Sequence, residues 1–148
     1  MVGKVMIVVN SAWNLVNFRA GLIRALFGAG YEVVAVAPTD KYVHQVAQLG
    51  FRFISMPMDC QGLSPTRDLG LAYRFWCLLR SESPAIVLCY TVKPNVYGSI
   101  AAHALGIPVI NNVAGLGAAF LKGGVVAVTG AAVVQACSLS IGEGILPE

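Results

Sequence analysis

The sequence predicts an α/β fold, a Rossmann-like three-layer sandwich in which a parallel sheet of about five or six strands carries helices on both faces. Short apolar runs such as VMIVV recur up to Val113, as expected for strands buried on both faces of a sheet. A segment with apolar residues at helical spacing follows each of the first four runs, so strands and helices alternate. Because connections between parallel strands are right-handed, the predicted strand order is 3-2-1-4-5.

The first half of the chain contributes three strands and two helices to this prediction. The strands are expected at residues 5–9, 32–37 and 51–56. The first helix is expected at 15–27, before Gly28 and Gly30, and the second at 41–49, before Gly50. The inward face of the first helix is predicted to hold Leu15, Phe18, Leu22, Ile23, Leu26 and Phe27.

The second half contributes a long helix, two strands and a shorter helix between them. Ser64 and Pro65 supply a hydroxyl N-cap and a proline at the first helical position, so the long helix is predicted to run from there to about Arg80. Its apolar stripe is expected to consist of Leu69, Ala72, Tyr73, Trp76 and Leu79. The remaining elements are expected at 85–89, 95–105 and 109–113.

The composition restricts the class of protein. The chain has 148 residues, of which 57% are hydrophobic and 11% are charged, and a formal net charge of +3. This length corresponds to one domain, and this hydrophobicity excludes an intrinsically disordered chain. The ten Lys and Arg residues are spread from Lys4 to Lys122 without a cluster, so no nucleic-acid partner is expected.

Motifs for metals and nucleotide cofactors are absent from the sequence. The cysteines at 60, 77, 89 and 137 form no CxxC pair and are interpreted as buried free thiols in a reducing cytoplasm. His44 and His103 lie within predicted helices, and the chain starts with a strand pattern rather than a secretory signal. No GxGxxG or P-loop motif occurs, so no metal, NAD or other cofactor is expected.

Three loops are candidates for a ligand site. In parallel sheets, ligands bind at the carboxyl ends of the strands near the reversal of strand order, which directs attention to residues 10–14, 91–95 and 114–117. In the first loop, Asn10, Ser11 and Asn14 precede a helix and either bind a phosphate or sugar hydroxyl or simply cap that helix. Trp13 either contacts a sugar or a membrane or packs in the core.

The other two loops add one cation and two glycines. Lys93 either pairs with a phosphate or an acidic substrate or is a solvated loop lysine. Gly115 and Gly117 permit close approach of the backbone to a ligand, or form a turn. The carboxylates of the chain form no obvious acid–base pair, so no catalytic residue is assigned.

Several short strings form a recognisable set: NSAWNLVNFR at 10–19, GLIR at 21–24, Ala37-Pro38 with Asp40 and Tyr42, GLSP at 62–65, KPN at 93–95 with Tyr97-Gly98, and NNVAGLG at 111–117. Together they resemble family-4 glycosyltransferases of bacterial capsule, O-antigen and lipid-linked oligosaccharide synthesis. The family includes the transferase that adds N-acetylgalactosamine to undecaprenyl-diphosphate-linked bacillosamine. The resemblance covers roughly residues 3–122.

The resemblance implies the N-terminal, acceptor-binding half of a GT-B fold, whose second domain holds a UDP-sugar and needs no metal. It places Asn10, Ser11, Trp13, Asn14 and Arg19 on the acceptor side of the cleft. It places Thr91, Lys93 and Asn95 toward the reacting sugars or the diphosphate, and Gly115, Leu116 and Gly117 beside the acceptor. The implied partner is a lipid-linked sugar acceptor, and a nucleotide-sugar binds only with a C-terminal domain or a partner subunit.

The end of the sequence departs from the family pattern. Residues 1–122 are interpreted as the acceptor-binding domain, and 123–148 as an apolar tail without Lys or Arg. The run at 125–141 is uncharged and lies at the lower length limit for a membrane span. Because the donor-binding domain is absent from the sequence, we hypothesise a truncation or a frameshift near 123–125. The alternative is that the chain is one subunit of a split enzyme and docks to the other subunit through the tail.

Two functional interpretations therefore stay open. The first is the acceptor half of a glycosyltransferase, inactive alone, and the second is a non-catalytic Rossmann-like binding module. The expected location is the cytoplasm, at the inner face of a bacterial plasma membrane. Peripheral membrane contact would use Trp13, Phe18 and Trp76 together with Arg67, Arg74 and Arg80, unless Trp76 belongs to the core stripe.

Overall fold

A computed structural model describes residues 2–59 and 64–113, which form one five-stranded parallel sheet with helices on both faces. The strand order is β3-β2-β1-β4-β5, so the predicted fold class and order are confirmed. The strands are β1 (Lys4–Val8), β2 (Glu32–Ala37), β3 (Arg52–Ser55), β4 (Ile86–Tyr90) and β5 (Val109–Asn112). The order reverses between β1 and β4, where Ile7 pairs with Leu88.

The helical elements are interrupted twice by π-helical turns. They are α1 (Ala12–Asn14), a first π-turn (Leu15–Arg19), α2 (Ala20–Gly28), α3 (Val43–Gln48), α4 (Pro65–Glu82), a second π-turn (Pro94–Gly98) and α5 (Ser99–Ala104). The two π-turns follow β1 and β4, the central strands of the sheet. None of the helices in residues 2–59 and 64–113 combines the length and hydropathy needed to cross a bilayer.

The two faces of the sheet bury alternate residues of each strand. Met6 and Val8 of β1 pack with Phe75 and Leu79 of α4 in one core cluster. Ile7 of the same strand packs in a second cluster on the opposite face, with residues of α2, α3 and the first π-turn. Successive strand side chains point to opposite faces, which explains why the inner strands β1, β2 and β4 are apolar over most of their length.

The first predicted helix begins earlier than expected and exposes part of its predicted inward face. It starts at Ala12, because the hydroxyl of Ser11 caps it by accepting a hydrogen bond from the backbone N–H of Asn14 at 3.3 Å. Leu15 and Ile23 are buried, but Phe18, Leu22 and Phe27 are exposed. The π-turn is wider than an α-helical turn and changes which residues face the sheet, so the predicted 3.6-residue spacing was wrong here.

The long helix α4 buries a different stripe from the predicted one. Its buried residues are Asp68, Leu71, Phe75 and Leu79, so only Leu79 of the predicted stripe is fully buried. Leu69 is 74% exposed and Tyr73 is 65% exposed. Asp68 can face the core because its carboxylate pairs with Lys93. The spacing of apolar residues cannot predict such a buried charge.

Trp76 lies at the margin of the core. It is partly buried and packs against the cluster that contains Phe75. Its ring stacks with that of Tyr73 at 6.1 Å, and the guanidinium carbon of Arg80 lies 5.1 Å from its centroid. Trp76 therefore contributes to the core at its margin, and its contact with a membrane stays a prediction.

The expectation that the cysteines are buried is confirmed for only one of the two described. Cys89 of β4 is buried, and burial raises the pKa of its thiol to about 12. Cys77 of α4 is exposed. The cysteines at 60 and 137 lie outside the described residues.

The amino ends of β1 and β3 are tied to the end of α4 by one carboxylate. Glu82 accepts two hydrogen bonds from Arg52, both of 2.7 Å, and one from Lys4 at 3.0 Å. Burial alone would raise the pKa of Glu82, but the hydrogen bonds and charges of Lys4 and Arg52 outweigh this effect and lower it. This network stabilises the sheet at the edge opposite the candidate site.

Candidate functional site

A pocket of about 260 Å³ lies at the carboxyl ends of β1 and β4, where the strand order reverses. Six residues that the sequence named as site candidates line it: Asn10, Asn14, Arg19, Thr91, Lys93 and Asn95. The other lining residues are Met58, Asp59, Tyr90, Val92 and Val113. We call this space the switch-point pocket. Gly115, Leu116 and Gly117, also named as candidates, lie outside the described residues.

Ser11 and Trp13 do not line this pocket, although the sequence named them with the same loop. Ser11 caps α1, and the backbone N–H of Trp13 donates to the carboxylate of Asp40 at 3.1 Å. Two N–H groups at the start of the helix are therefore already bound by the chain's own oxygens. The capping interpretation accounts for Ser11, and the expected anion site at this helix start loses two of its donors.

The side chain of Trp13 is at the surface rather than in the core. It is 42% exposed, and its ring meets that of Phe18, which is 60% exposed, edge to face at 5.3 Å. We call these two side chains the aromatic patch. The patch adjoins the switch-point pocket along the chain, because Asn14 and Arg19 belong to the same helical segment.

Arg19 ends the first π-turn and is held by stacking. Its guanidinium carbon lies 3.9 Å from the ring centroid of Tyr90, the last residue of β4. Burial raises the pKa of the Tyr90 phenol, and the positive charge of Arg19 partly opposes this rise. The stack leaves Nε of Arg19 buried and without a hydrogen-bond partner among the described residues.

Thr91 connects β4 to the second π-turn in a strained conformation. Its φ is +73°, in the left-handed region that β-branched residues rarely adopt. Its carbonyl accepts a hydrogen bond from the backbone N–H of Asn95 at 3.0 Å and so starts the helical segment. Its hydroxyl oxygen is buried with no partner in the part of the chain that the structure describes. Strain of this kind is concentrated at functional sites.

Asn95 lies inside the second π-turn. Its side chain is 3% exposed, and its Nδ2 donates to the backbone carbonyl of Asn112 at 3.2 Å. Because a backbone carbonyl can only accept, this bond identifies the amide nitrogen of Asn95 and thereby the position of its oxygen. Oδ1 of Asn95 is buried and unbonded within residues 2–59 and 64–113.

Lys93 is neither a solvated loop lysine nor a free cation. Its Nζ donates to Oδ1 of Asp68 at 3.0 Å, and the two side chains are 15% and 9% exposed. Asp68 also bonds the phenol of Tyr97, whose pKa is raised first by burial and then by this carboxylate. Sequence reasoning missed Asp68, and the only signal for it was an acidic residue in the inward row of a helix.

The polar atoms left without partners converge on this pocket. Among the described residues, the buried side-chain atoms that lack a hydrogen bond are Oδ1 of Asn14, Nε of Arg19, Oγ1 of Thr91 and Oδ1 of Asn95. All four residues line the switch-point pocket. Buried polar atoms in native proteins are almost always satisfied. A cluster of unsatisfied ones around one cavity therefore indicates a space shaped for a polar ligand.

A larger cleft of about 860 Å³ adjoins the pocket, between the ends of β2 and β3 and the first turns of α4. The two spaces share Met58, Asp59 and Lys93. Arg67 and Arg74 also line the cleft, and Arg67 donates to Asp59 at 3.1 Å. No group of three His, Cys, Asp or Glu side chains suited to a metal ion occurs in the described ranges.

The sheet order defines a Rossmann-like α/β domain with a pocket at its switch point. Residues 16–137 match the model of the glycosyl transferase 4-like domain, and the chain belongs to this family. The match runs beyond residue 122, where the sequence suggested a domain boundary, and that boundary remains a prediction. The comparison with curated proteins gave no match.

Solved structures share the fold at low sequence identity. MurG of Acinetobacter baumannii is 16% identical with a TM-score of 0.58 and is matched over 73% of this chain and 33% of its own. UDP-GlcNAc 2-epimerase of Neisseria meningitidis, solved bound to UDP-GlcNAc, is 14% identical with a TM-score of 0.66, over 90% and 38%. A glycosyltransferase from Rickettsia africae is 14% identical with a TM-score of 0.60, over 73% and 28%. The chain thus spans about a third of the length of these proteins.

Proposed function

We propose that this chain is the acceptor-binding half of a glycosyltransferase that moves a sugar from a nucleotide-sugar to a lipid-linked or polysaccharide acceptor. The proposal is carried by four buried polar atoms that have no hydrogen-bond partner within residues 2–59 and 64–113, all of them on residues that line the switch-point pocket. Membership of the glycosyl transferase 4-like family supplies the reaction class. The pocket is the acceptor site, and its polar residues orient the acceptor.

The nucleotide-sugar, a UDP-sugar in this proposal, binds outside residues 1–148, on a C-terminal domain or a partner subunit. The match covers 33% of MurG and 38% of the Neisseria meningitidis epimerase, which is consistent with one domain of a longer enzyme. Residues 1–148 alone therefore transfer no sugar. The sequence resemblance further suggests an acceptor similar to undecaprenyl-diphosphate-linked bacillosamine.

The lipid-linked form of the acceptor requires the domain to work at a membrane surface. The aromatic patch is exposed on the first helical segment, and Arg67, Arg74 and Arg80 are exposed on α4, which packs on the other face of the sheet. Aromatic and basic side chains each favour the interface of an anionic membrane. We place the protein in the cytoplasm, in peripheral contact with the inner face of a bacterial plasma membrane.

Equilibrium binding tests the proposal directly. A short-chain polyprenyl-diphosphate-linked N-acetylhexosamine should bind the chain, and Arg19→Met should weaken that binding about tenfold because it removes a charged hydrogen-bond donor. Arg24→Met, an exposed arginine of α2, is the matched control and should bind as wild type does. Equal affinity of the two variants would contradict the placement of the acceptor in this pocket.

Turnover separates the proposed half-enzyme from the alternatives. The chain should release no UDP from a UDP-sugar in the presence of acceptor, and measurable transfer would contradict the claim that it is inactive alone. Recovery of transfer on adding a separate donor-binding subunit would identify a split enzyme. Tight ligand binding by the chain with no such subunit in the cell would instead favour a non-catalytic binding module.

A further inference from the structure

We infer that the switch-point pocket takes a hydroxyl-bearing carbohydrate ring and not a phosphate group. The inference rests on the proposed function and specifies which part of the acceptor enters the pocket. It depends on the direction of the hydrogen bonds that the unsatisfied atoms can make, because two of these atoms can only accept and one can only donate.

The two amide oxygens demand donors from the ligand. The orientation of Asn95 is determined, since its Nδ2 already donates to the carbonyl of Asn112, and its buried Oδ1 can only accept. Oδ1 of Asn14 is also buried and unbonded within the described residues. Of these two amides, that of Asn95 is the one whose orientation is set by a hydrogen bond from its own Nδ2. A diphosphate linkage carries acceptor oxygens alone, so it would leave both amide oxygens unsatisfied and would place negative charge beside them.

The cationic side of the pocket does not reverse this preference. Lys93 is already paired with Asp68 at 3.0 Å, so its charge is largely compensated. Nε of Arg19 needs one acceptor, and the hydroxyl of Thr91 can donate or accept. A sugar hydroxyl both donates and accepts, so neighbouring hydroxyls of one ring can satisfy the amide oxygens and Arg19 together.

The volume of the pocket agrees with a single ring. At about 260 Å³ it lies below the range of about 300–1,000 Å³ that is usual for sites of drug-sized ligands. The remainder of a lipid-linked acceptor has room in the adjoining cleft of about 860 Å³, which shares Lys93 with the pocket and also carries Arg67 and Arg74. The ring and the anionic linkage thus have separate surroundings.

Thr91→Val is the sharpest variant for the test. Valine keeps the shape and the β-branch of threonine, so the strain at φ +73° is unchanged and the substitution removes only a hydroxyl that has no partner within residues 2–59 and 64–113. The midpoint of thermal unfolding should stay equal or rise, because an unsatisfied buried group is removed. Affinity for the ring should fall about fivefold, which is typical for the loss of one hydrogen bond. Thr66→Val, an exposed threonine outside the pocket, is the matched control.

Two probes distinguish ring from phosphate: free N-acetylglucosamine and inorganic pyrophosphate, each added to the isotope-labelled full chain. Shifts of the Asn14 and Asn95 side-chain amide signals on adding the sugar, reduced in Thr91→Val but not in Thr66→Val, would support the inference. Shifts produced by pyrophosphate and not by the sugar would overturn it and leave acceptor binding standing. Shifts with neither probe would also overturn it, and the proposed function would then be judged by binding of the lipid-linked acceptor.

Discussion

The ammonium nitrogen of Lys93 lies 3.0 Å from Oδ1 of Asp68, in a position that separates the small pocket from the large cleft. One residue comes from the loop after β4 and the other from the first turn of α4. The pair therefore joins the sheet to α4 at the ligand-binding edge. Because both side chains are largely buried, removing one of them would leave the other charge without its partner, at a cost in stability.

Loss of Lys93 should cost more stability than loss of Asp68. Lys93→Met leaves a buried carboxylate with Tyr97 as its remaining partner and should lower the free energy of unfolding by about 2–3 kcal/mol. Asp68→Asn should cost about 1 kcal/mol, since a long lysine side chain can reach water. The double variant should lose clearly less than the sum of the two. Urea unfolding measures all three, and additive losses would contradict the pairing.

The Glu82 network makes stability depend on acid pH. The pKa of Glu82 in the folded chain lies below its ordinary value of 4.5, so its contribution is present above 4.5 and disappears as the pH falls through the folded value. Glu82→Gln should therefore be about 1–2 kcal/mol less stable than wild type at neutral pH, and the difference should shrink in strong acid. Unfolding curves across this range test the prediction.

Glu32→Gln is the matched control for that experiment. Its carboxylate approaches Lys4 only to 3.9 Å and contributes no bidentate pair. Glu32→Gln should therefore change the free energy of unfolding by less than Glu82→Gln does at neutral pH. A gap between wild type and Glu82→Gln that widens in acid would refute the assigned direction of the pKa.

Gly98 should tolerate no side chain while Cys89 is present. A Cβ at Gly98 would lie 2.9 Å from the sulfur of Cys89, closer than real contacts allow. Gly98→Ala should therefore lower the midpoint of thermal unfolding, and adding Cys89→Ala should recover part of the loss because the cavity and the new methyl group coincide. At Gly70 of α4 a Cβ meets nothing within 4 Å, so Gly70→Ala should stabilise by up to about 1 kcal/mol.

The aromatic patch should contribute to membrane binding and little to folding. Phe18→Ser should change the free energy of unfolding by less than about 0.5 kcal/mol, since Phe18 is 60% exposed, and Trp13→Ser should cost more because Trp13 is only 42% exposed, so the double variant is compared with wild type at a temperature where both are folded. Cosedimentation with vesicles of anionic phospholipid should decrease. Phe27→Ser, exposed at the other end of the helix, is the control and should sediment as wild type does. Unchanged cosedimentation of the double variant would contradict a role of the aromatic patch in membrane binding.

The strand order followed from the sequence because buried parallel strands have a simple signature. Runs such as Val5 to Val9 are apolar on both faces, and right-handed connections leave few ways to arrange them. Ligand loops at the carboxyl edge follow from the same topology, which is why residues 10–14 and 91–95, distant in sequence, could be assigned to one edge of the sheet. Arg19 lies outside these loops and was named only because of the family resemblance.

The helix faces could not be predicted with the same rule. Spacing arguments assume an uninterrupted α-helix, and the π-turn at Leu15–Arg19 breaks that assumption, so Phe18 was expected inside and is exposed. Asp68 was unpredictable for another reason, because a charge is buried only when a distant partner, here Lys93, meets it. The strain at Thr91 has no sequence signature at all.

Because of the two π-turns, the position of the pocket and the side chains that line it are determined by different elements of the fold. Each residue advances the direction of helical side chains by about 100°, so one residue more or less in a turn changes which side chains face a given point. The strands determine where the pocket lies, but the angular phase of the two helices that follow β1 and β4 determines whether Arg19 and Asn95 reach it. A relative with the same sheet and regular helices would present other chemistry at the same place, so selectivity in this fold can diverge by a single insertion while the core stays intact.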